Sequence, residues 1–333
     1  MIDFDKALEA TEGTTRNLLL GNGFSRDLGE QVFAYKALFE SSQFGYPLRG
    51  IFEYFGTFDF EKVMKSLEDT KRIMSFYNLS DHPIQLKIKK EIKSLKEYLI
   101  KVISEKHPES IHSIDGKSCH CSGFLSNFIP DAEKIGKIFT LNYDLLLYWV
   151  LMRDKKCSNP RLRFDDGFRR GEGNLLKWEL FCDQNINYLH GALHIYDDDV
   201  GIKKIKYSED NQLIIQIKNN IENNHFPMVV SEGMSVKKLE KIQHNPYLYN
   251  AFNTFSESMN EENHPFFIFG FSFNDTDQHI IEIMKNGRVN NFFVSVHEDP
   301  DGEFQSKVLK CLRGGKNKPE ITFFRAQSAH VWS

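Results

Sequence analysis

Short apolar segments alternate with amphipathic segments through the second half of the chain. The apolar segments typical of buried strands are KIFTLN, INYLHG, MVVSEG, FFIFGFS, NFFVSVH and ITFFRA. Helical periodicity separates several of them, in YDLLLYWVLM, SVKKLEKIQ, DTDQHIIEIM and FQSKVLKCL. Apolar strands separated by helices predict a parallel sheet with helices on both faces.

The first 135 residues carry a different pattern. They predict a helix near residues 4–10, a buried strand at 17–21, and a mostly helical region from about 30 to 135. Apolar residues recur at helical spacing in two stretches of that region, at Phe60, Val63, Met64 and Leu67 and then at Ile88, Ile92, Leu95, Leu99 and Val102. Glutamates interleave with the lysines of the second stretch, which favours a solvated helix face over a nucleic-acid or membrane surface.

These patterns predict an α/β fold with a Rossmann-like parallel sheet covered by helices. The strand at 17–21 is expected to join the sheet of residues 136–333, so that residues 30–135 form a mostly helical insertion after the first strand–turn unit. We expect a single domain over residues 1–333 that contains this insertion as a subdomain. The polar stretch from Asn159 to Gly173 is predicted to be a long loop, and such loops are often functional.

Composition indicates a globular protein and narrows its location and partners. Of 333 residues, 41% are hydrophobic and 26% are charged, and the net charge of −4 argues against a dominant nucleic-acid surface. No segment approaches the ~18 consecutive apolar residues that cross a membrane, and the acidic N-terminus lacks the features of a signal peptide. Five cysteines in a long chain fit reduced thiols. We therefore expect a cytoplasmic protein without membrane or direct nucleic-acid contacts.

The glycine turn Gly21-Asn22-Gly23 follows the first predicted strand. Such a turn can hold the phosphates of a dinucleotide, or it can simply lead from a strand into a helix. The third glycine of the dehydrogenase fingerprint is replaced by Arg26, and no acidic residue follows at the end of a clear second strand. A common nicotinamide dehydrogenase is therefore disfavoured, and both interpretations of the turn remain open.

Polar residues also follow two later strands, KIFT and INYL. Asn142 and Asp144 come after KIFT, and His190 precedes a glycine after INYL. Helix capping is the alternative for Asn142 and Asp144, and a merely structural histidine is the alternative for His190. Histidine suits proton transfer because it titrates near neutrality.

After the strand FFIF, Gly270 and Ser272 could line a nucleotide, whereas Asn274 and Asp275 are better interpreted as helix caps. Because the carboxyl ends of parallel strands share one edge of the sheet, we expect the polar groups that follow all of these strands to converge there.

The order of these motifs resembles the sirtuin fold in its bacterial sirtuin-like branch. The matching segments are Gly21-Asn22-Gly23-Phe24-Ser25, Thr140-Leu141-Asn142-Tyr143-Asp144, His190-Gly191, VVSEG at 229–233, Gly270-Phe271-Ser272 and NFFVSVHE. The protein-deacylating sirtuins differ, because they continue the first turn with Gly-Ile-Pro-Asp-Phe-Arg and carry two Cys-x-x-Cys pairs for zinc. Here RDLGEQVFAYKAL follows the turn and Cys119-His120-Cys121 has no second pair, so no metal is expected.

The resemblance implies a protein that consumes NAD as its substrate. It implies hydrolysis of the nicotinamide–ribose bond to ADP-ribose or a cyclised product, in an NAD-depleting effector of bacterial anti-phage defence and abortive infection. It also implies a homo-oligomer or a defence-system partner protein. The implied catalytic residues are Asn142, Asp144 and His190, and the implied NAD-binding residues are Gly21, Asn22, Gly23, Phe24, Ser25, Gly270 and Ser272.

Two other functions remain open. A catalytically silent sensor or scaffold could bind NAD or ADP-ribose in the same pocket. Protein deacylation or ADP-ribosyl transfer is the weaker alternative, because the sequence lacks the elements with which deacylases bind acyl-peptides.

Overall fold

The computed structural model describes residues 1–29, 35–40, 42, 44–80, 82–130, 133–180, 183–198, 201–207, 213–299 and 301–333. The strands in this part of the chain are β1 (Asn17–Leu20), β2 (Ile138–Thr140), β3 (Phe168–Arg169), β4 (Leu175–Trp178), β5 (Ile186–Tyr188), β6 (Ile195–Asp198), β7 (Gly201–Ile205), β8 (Phe266–Phe269), β9 (Asn291–Val296) and β10 (Glu320–Arg325).

The α-helices are α1 (Phe4–Glu9), α2 (Asn22–Leu28), α3 (Tyr35–Glu40), α4 (Tyr46–Tyr54), α5 (Phe60–Phe76), α6 (Pro83–Lys106), α7 (Asp115–Leu125), α8 (Leu146–Lys155), α9 (Leu213–Glu222), α10 (Ser235–Gln243), α11 (Pro246–Ser258), α12 (Gln278–Asn286) and α13 (Glu303–Arg313). Short 3₁₀ turns span Ile111–Ile114, Asp275–Asp277 and Ala326–Ala329.

Six strands form a parallel sheet in the order β10-β9-β8-β1-β2-β5. Side chains of the central strand β1 alternate between two cores, with Leu18 and Leu20 on one face and Leu19 on the other. Helices α5 and α6 contribute to the first core, and α11, α12 and α13 contribute to the second. The predicted α/β fold with a Rossmann-like sheet between helices is therefore confirmed.

The described residues between α2 and β2 form helices and turns with one isolated bridge at Pro130, as expected for a helical insertion. In α5 and α6, every apolar side chain that was predicted to face the protein core is buried. The α6 lysines at positions 87, 89, 90 and 93 are exposed, in agreement with the predicted solvated face of that helix.

The predicted strand MVVSEG is wrong. Val229 forms only an isolated antiparallel bridge with Gly191, and Val230 donates from its backbone N to the His190 carbonyl at 2.8 Å. This segment crosses the chain just beyond β5 instead of extending the sheet, and its backbone groups are satisfied there.

A second sheet was not predicted. Strands β3, β4, β7 and β6 form it in that order, and every pairing is antiparallel. The stretch from Asn159 to Gly173 contributes the two-residue strand β3, and its buried Asp166 pairs with the buried Lys204 of β7. Strand β4 reads Leu175-Leu176-Lys177-Trp178, so it lacks the strict alternation of apolar and polar residues that predicts a half-buried strand, and none of its side chains is buried.

Among the described residues, no helix combines the length and the apolar character needed to cross a bilayer.

Candidate functional site

A cleft of about 940 Å³ opens at the carboxyl ends of the parallel strands. It lies where the strand order reverses, because β1 has β2 on one side and β8 on the other. Most of the site residues predicted from sequence line this cleft, namely Gly21, Asn22, Gly23, Asn142, Asp144, His190, Gly270 and Ser272. No residue of the 159–173 stretch is part of its described lining.

The glycines of the first turn allow two loops to touch. A Cβ atom at Gly21 would lie 2.5 Å from the Gly270 carbonyl oxygen, and one at Gly23 would lie 2.5 Å from the Gly270 Cα. Gly270 itself has φ +69°, and its carbonyl accepts from the Gly23 backbone N at 2.8 Å. The turn therefore has a packing role in any case, and the Gly23 amide is already engaged.

Phe24 and Ser25 do not line the cleft. The Phe24 ring is buried and lies 5.1 Å from the Trp332 ring, measured between centroids, and Trp332 Nε1 donates to the Phe24 carbonyl at 2.7 Å. Ser25 is fully buried below the turn, where its hydroxyl meets two of the predicted site residues.

Asn142, Ser25 and Asp144 form a buried hydrogen-bond chain. Asn142 Nδ2 donates to Ser25 Oγ at 2.9 Å, and Ser25 Oγ donates to Asp144 Oδ2 at 2.5 Å. The other Asp144 oxygen, Oδ1, accepts from the Leu146 backbone N at 2.9 Å, so the carboxylate also caps the start of α8. Burial raises the pKa of Asp144, and the Ser25 hydrogen bond partly opposes that shift.

His190 is only 2% exposed and faces a second histidine. Its Nε2 lies 3.0 Å from His279 Nε2, and the Nδ1 atom of His279 lies 3.0 Å from Ser235 Oγ. Burial lowers the pKa of His190 well below its ordinary value and lowers that of His279 to about 4, and the positive charge of Lys238 adds to both shifts. Both imidazoles are therefore neutral at physiological pH.

A buried charge cluster beside His190 was missed from the sequence. Lys238 is fully buried and donates from Nζ to Glu61 Oε2 at 2.7 Å and to Asp277 Oδ1 at 2.8 Å. Burial alone would lower the pKa of Lys238, but Asp277 and Glu61 together raise it above its ordinary value. Burial raises the pKa of Glu61 to about 7, with Lys238 opposing this shift and Asp277 adding to it.

The sequence offers only weak signals for this cluster. Lys238 lies four residues before the buried Ile242, which places it on the inner face of α10. Asp277 ends the polar run Asn274-Asp275-Thr276-Asp277 at a helix start, where acidic residues are common as caps and so do not stand out. Glu61 lies beside Phe60 at the start of α5, and acidic residues are common in a first helical turn.

The charged groups of the lining are mostly acidic. The carboxyl groups belong to Asp27, Asp59, Glu61, Asp144, Asp277 and Glu298, and the permanent cations belong to Arg26 and Lys238. Such a lining favours a ligand with a cationic portion, or a reaction that develops positive charge.

A family model matches most of the chain. The family model described as Domain of unknown function (DUF4917) matches residues 18–332, and no curated protein matches the chain. The matched range begins at β1 and contains every described residue of the cleft lining.

Proposed function

Since the chain belongs to the DUF4917 family, whose description states no activity, we propose from its cleft that it binds NAD and hydrolyses the nicotinamide–ribose bond. One observation carries the proposal: the glycine turn, the Asn142–Asp144 pair, His190 and Gly270 meet in one cleft at the reversal of strand order. Open parallel sheets bind nucleotides at this position, and about 940 Å³ is within the size range of ligand pockets. The resemblance to sirtuin-like proteins supports NAD as the nucleotide.

The side of the cleft near β8 suits the adenosine and phosphates. Gly21 and Gly270 line this side of the cleft, and the absence of their side chains lets the two turns pack together into the edge that a phosphate would contact. Ser272 and Ser295 also line this side and provide hydroxyl groups. The Ser295 hydroxyl already accepts from the Gly270 backbone N at 3.0 Å, which ties the turn after β8 to strand β9.

Asn142 is prepared to accept a hydrogen bond from the substrate. With Asp144 ionised, the single hydroxyl proton of Ser25 goes to that carboxylate, so Ser25 Oγ must accept from the Asn142 amide nitrogen. This fixes the orientation of the amide and leaves Asn142 Oδ1 to accept from a ribose hydroxyl or from the attacking water.

Hydrolysis breaks the bond between C1′ and the pyridinium nitrogen. The bonding electron pair goes to the ring, which leaves as neutral nicotinamide, and positive charge develops on the ribose. The carboxylate of Asp144 and the acidic lining stabilise this charge. A water oxygen then bonds to C1′, and neutral His190 accepts the released proton. The products are nicotinamide, ADP-ribose and a proton.

The biological setting is proposed from the resemblance alone. The activity would deplete NAD in an infected bacterial cell, in a cytoplasmic homo-oligomer or together with a defence-system partner protein. The corresponding measurement is the cellular NAD concentration after phage challenge, with and without the intact gene.

The enzymatic test uses Asn142→Ala and His190→Gln. Each should lower NAD hydrolysis by about 10²- to 10⁴-fold, the usual contribution of a proton acceptor or an equally well-placed polar group. Exposed residues of the same types provide the controls Asn260→Ala and His244→Gln, which should retain wild-type turnover. Circular dichroism confirms folding, and chromatography measures nicotinamide release. Unchanged turnover in both cleft variants would remove these residues from the mechanism.

A binding protein without turnover is the second candidate. It is favoured by the engagement of His190 Nε2 with His279 and by the low exposure of the His190 side chain. Calorimetry with NAD and ADP-ribose distinguishes the two functions, because a sensor binds either nucleotide and releases no nicotinamide. An acetylated peptide with NAD tests the deacylation alternative in the same assay.

A further inference from the structure

Three ligand-forming side chains meet at the inner end of the cleft. One nitrogen each from His190 and His279 and one carboxylate oxygen of Asp277 all lie within 4.8 Å of one another. The two Nε2 atoms are 3.0 Å apart, and His190 Nε2 lies 3.9 Å from Asp277 Oδ1. His190 follows β5, whereas Asp277 and His279 follow β8, so the parallel sheet brings the three together at one edge.

The facing histidine nitrogens have the separation of two ligands on one metal ion. Two nitrogens that each lie about 2.0–2.1 Å from a zinc ion are roughly 3 Å apart at ordinary coordination angles. Without an ion, the two neutral rings must share a single proton between these atoms. An ion would instead accept the lone pairs of both nitrogens.

The surroundings of His279 suit a ligand role. Ser235 Oγ lies 3.0 Å from its Nδ1 and accepts from its backbone N at 2.7 Å. A hydroxyl that accepts the Nδ1 proton leaves the lone pair on Nε2, which is the form that binds a metal. Outer partners of this kind are usual around metal-ligating histidines.

We propose that His190, Asp277 and His279 form a binding site for a divalent transition-metal ion of the zinc class. Two imidazoles and one carboxylate are a known ligand set for such ions. Both His190 and Asp277 line the cleft, so a fourth position would be open to water or to a bound molecule. An ion on His190 would take the lone pair that the proposed hydrolysis assigns to proton transfer, so the site is a separate proposal, and its test requires no nucleotide.

Two permanent cations belong to the described lining of the cleft. Lys238 contacts this site through Asp277, and Arg26 lies at the glycine turn. Its ammonium contacts Asp277 Oδ1 at 2.8 Å and also contacts Glu61 at 2.7 Å. Two carboxylates around one ammonium leave a net negative charge when both are ionised, which attracts a divalent ion. The Asp277 oxygen that lies 3.9 Å from His190 Nε2 is the same Oδ1 that accepts from Lys238, so an ion at this position would share that oxygen with the ammonium.

The experiment titrates untagged, chelator-treated protein with Co²⁺ and follows its visible d–d absorption, with Zn²⁺ added as a competitor. The wild-type protein should bind one equivalent of Co²⁺, and Zn²⁺ should displace it. The ligand variants His279→Asn and Asp277→Asn should each weaken binding at least tenfold. Ser235→Ala keeps all three ligands and should weaken binding by about 10- to 100-fold, as outer-partner substitutions do.

Exposed His244, which directly follows α10, provides the matched control His244→Asn, which should bind like the wild type. Circular dichroism identifies any variant that fails to fold, and Ser235→Ala is the mildest of the three changes. The proposal is overturned if folded wild-type protein shows no saturable Co²⁺ absorption. It is equally overturned if folded ligand variants bind as tightly as the wild type, because binding is then at the surface.

Discussion

Glu61 is a carboxylic acid held in the interior beside another carboxylate and a lysine. Lys238 is shared between Glu61 and Asp277, so one positive charge cannot balance both acids. Burial raises the pKa of Glu61 to about 7 despite this lysine, and the negative charges of Asp277 and Asp59 add to the shift. The folded protein therefore holds a proton on Glu61 at pH values where the unfolded chain has lost it.

The substitution Glu61→Gln should change the pH dependence of stability. Because the folded pKa of about 7 exceeds the ordinary value of 4.5, this group stabilises the folded state below pH 4.5 and loses that contribution as pH rises towards 7. The loss corresponds to at most about 3.5 kcal/mol, at roughly 1.4 kcal/mol per pKa unit between 4.5 and about 7. Urea unfolding at several pH values measures it, and the decline between pH 4.5 and 7 should be smaller in the variant. Parallel curves for both proteins would contradict the assignment.

At the scale of elements, the turn from β1 into α2 and the turn after β8 are packed backbone to backbone. The contact depends on Gly21, Gly23 and Gly270, and the Gly23 amide donates to the Gly270 carbonyl. Trp332 covers the other side of α2 with its hydrogen bond to the Phe24 carbonyl. The first turn of the cleft is therefore positioned by packing even without a ligand.

Gly21→Ala should destabilise the protein by about 1–3 kcal/mol, the usual cost of overpacking, because its Cβ would lie 2.5–2.6 Å from backbone atoms of Gly270 and Phe271. The control is Gly50→Ala inside α4, where a Cβ has no heavy atom within 4 Å. That change should stabilise the protein by roughly 0.5–1 kcal/mol through helix propensity. Thermal unfolding measures both, and equal effects at the two positions would rule out the close contact as the cause.

At the scale of the molecule, the helical insertion closes one side of the cleft. Glu61 of α5 is joined to the α/β part through Lys238, and its Oε1 lies 3.1 Å from the Tyr143 hydroxyl. Gly233 also packs closely against α5, since a Cβ there would lie 2.2 Å from the Lys65 backbone N. Charge and shape thus both fix the insertion over the carboxyl ends of the strands.

Lys238→Met should destabilise the protein by about 3–5 kcal/mol, because it leaves the buried Glu61 and the partly buried Asp277 without their cation. The side chain of the neighbouring Lys237 is 51% exposed and pairs with Glu240 on the same helix, so Lys237→Met should cost at most ~1 kcal/mol. Chemical denaturation of the two variants checks this difference. If Lys238→Met is no more costly than Lys237→Met, the buried ion pairs do not hold the insertion in place.

Local periodicity determined much of the architecture. Residues 60–67 and 88–102 have their apolar side chains at helical spacing, and the helices form there with those faces buried. The strand at 17–21 and most of the later strands were recognisable as short apolar runs between helical segments. MVVSEG was not, because an apolar run shows that a segment is buried and does not show which backbone it pairs with.

The sequence by itself determined the α/β class, the helical insertion, and the residues that follow the strands at the edge of the sheet. Only the tertiary structure decided which side chains meet there. Glu61 and Lys238 are 177 positions apart, and His190 and His279 are 89 positions apart, yet both pairs are in contact. Spacing along the chain carries no information on such meetings, and the charge state of each group depends on the burial and partners that folding creates.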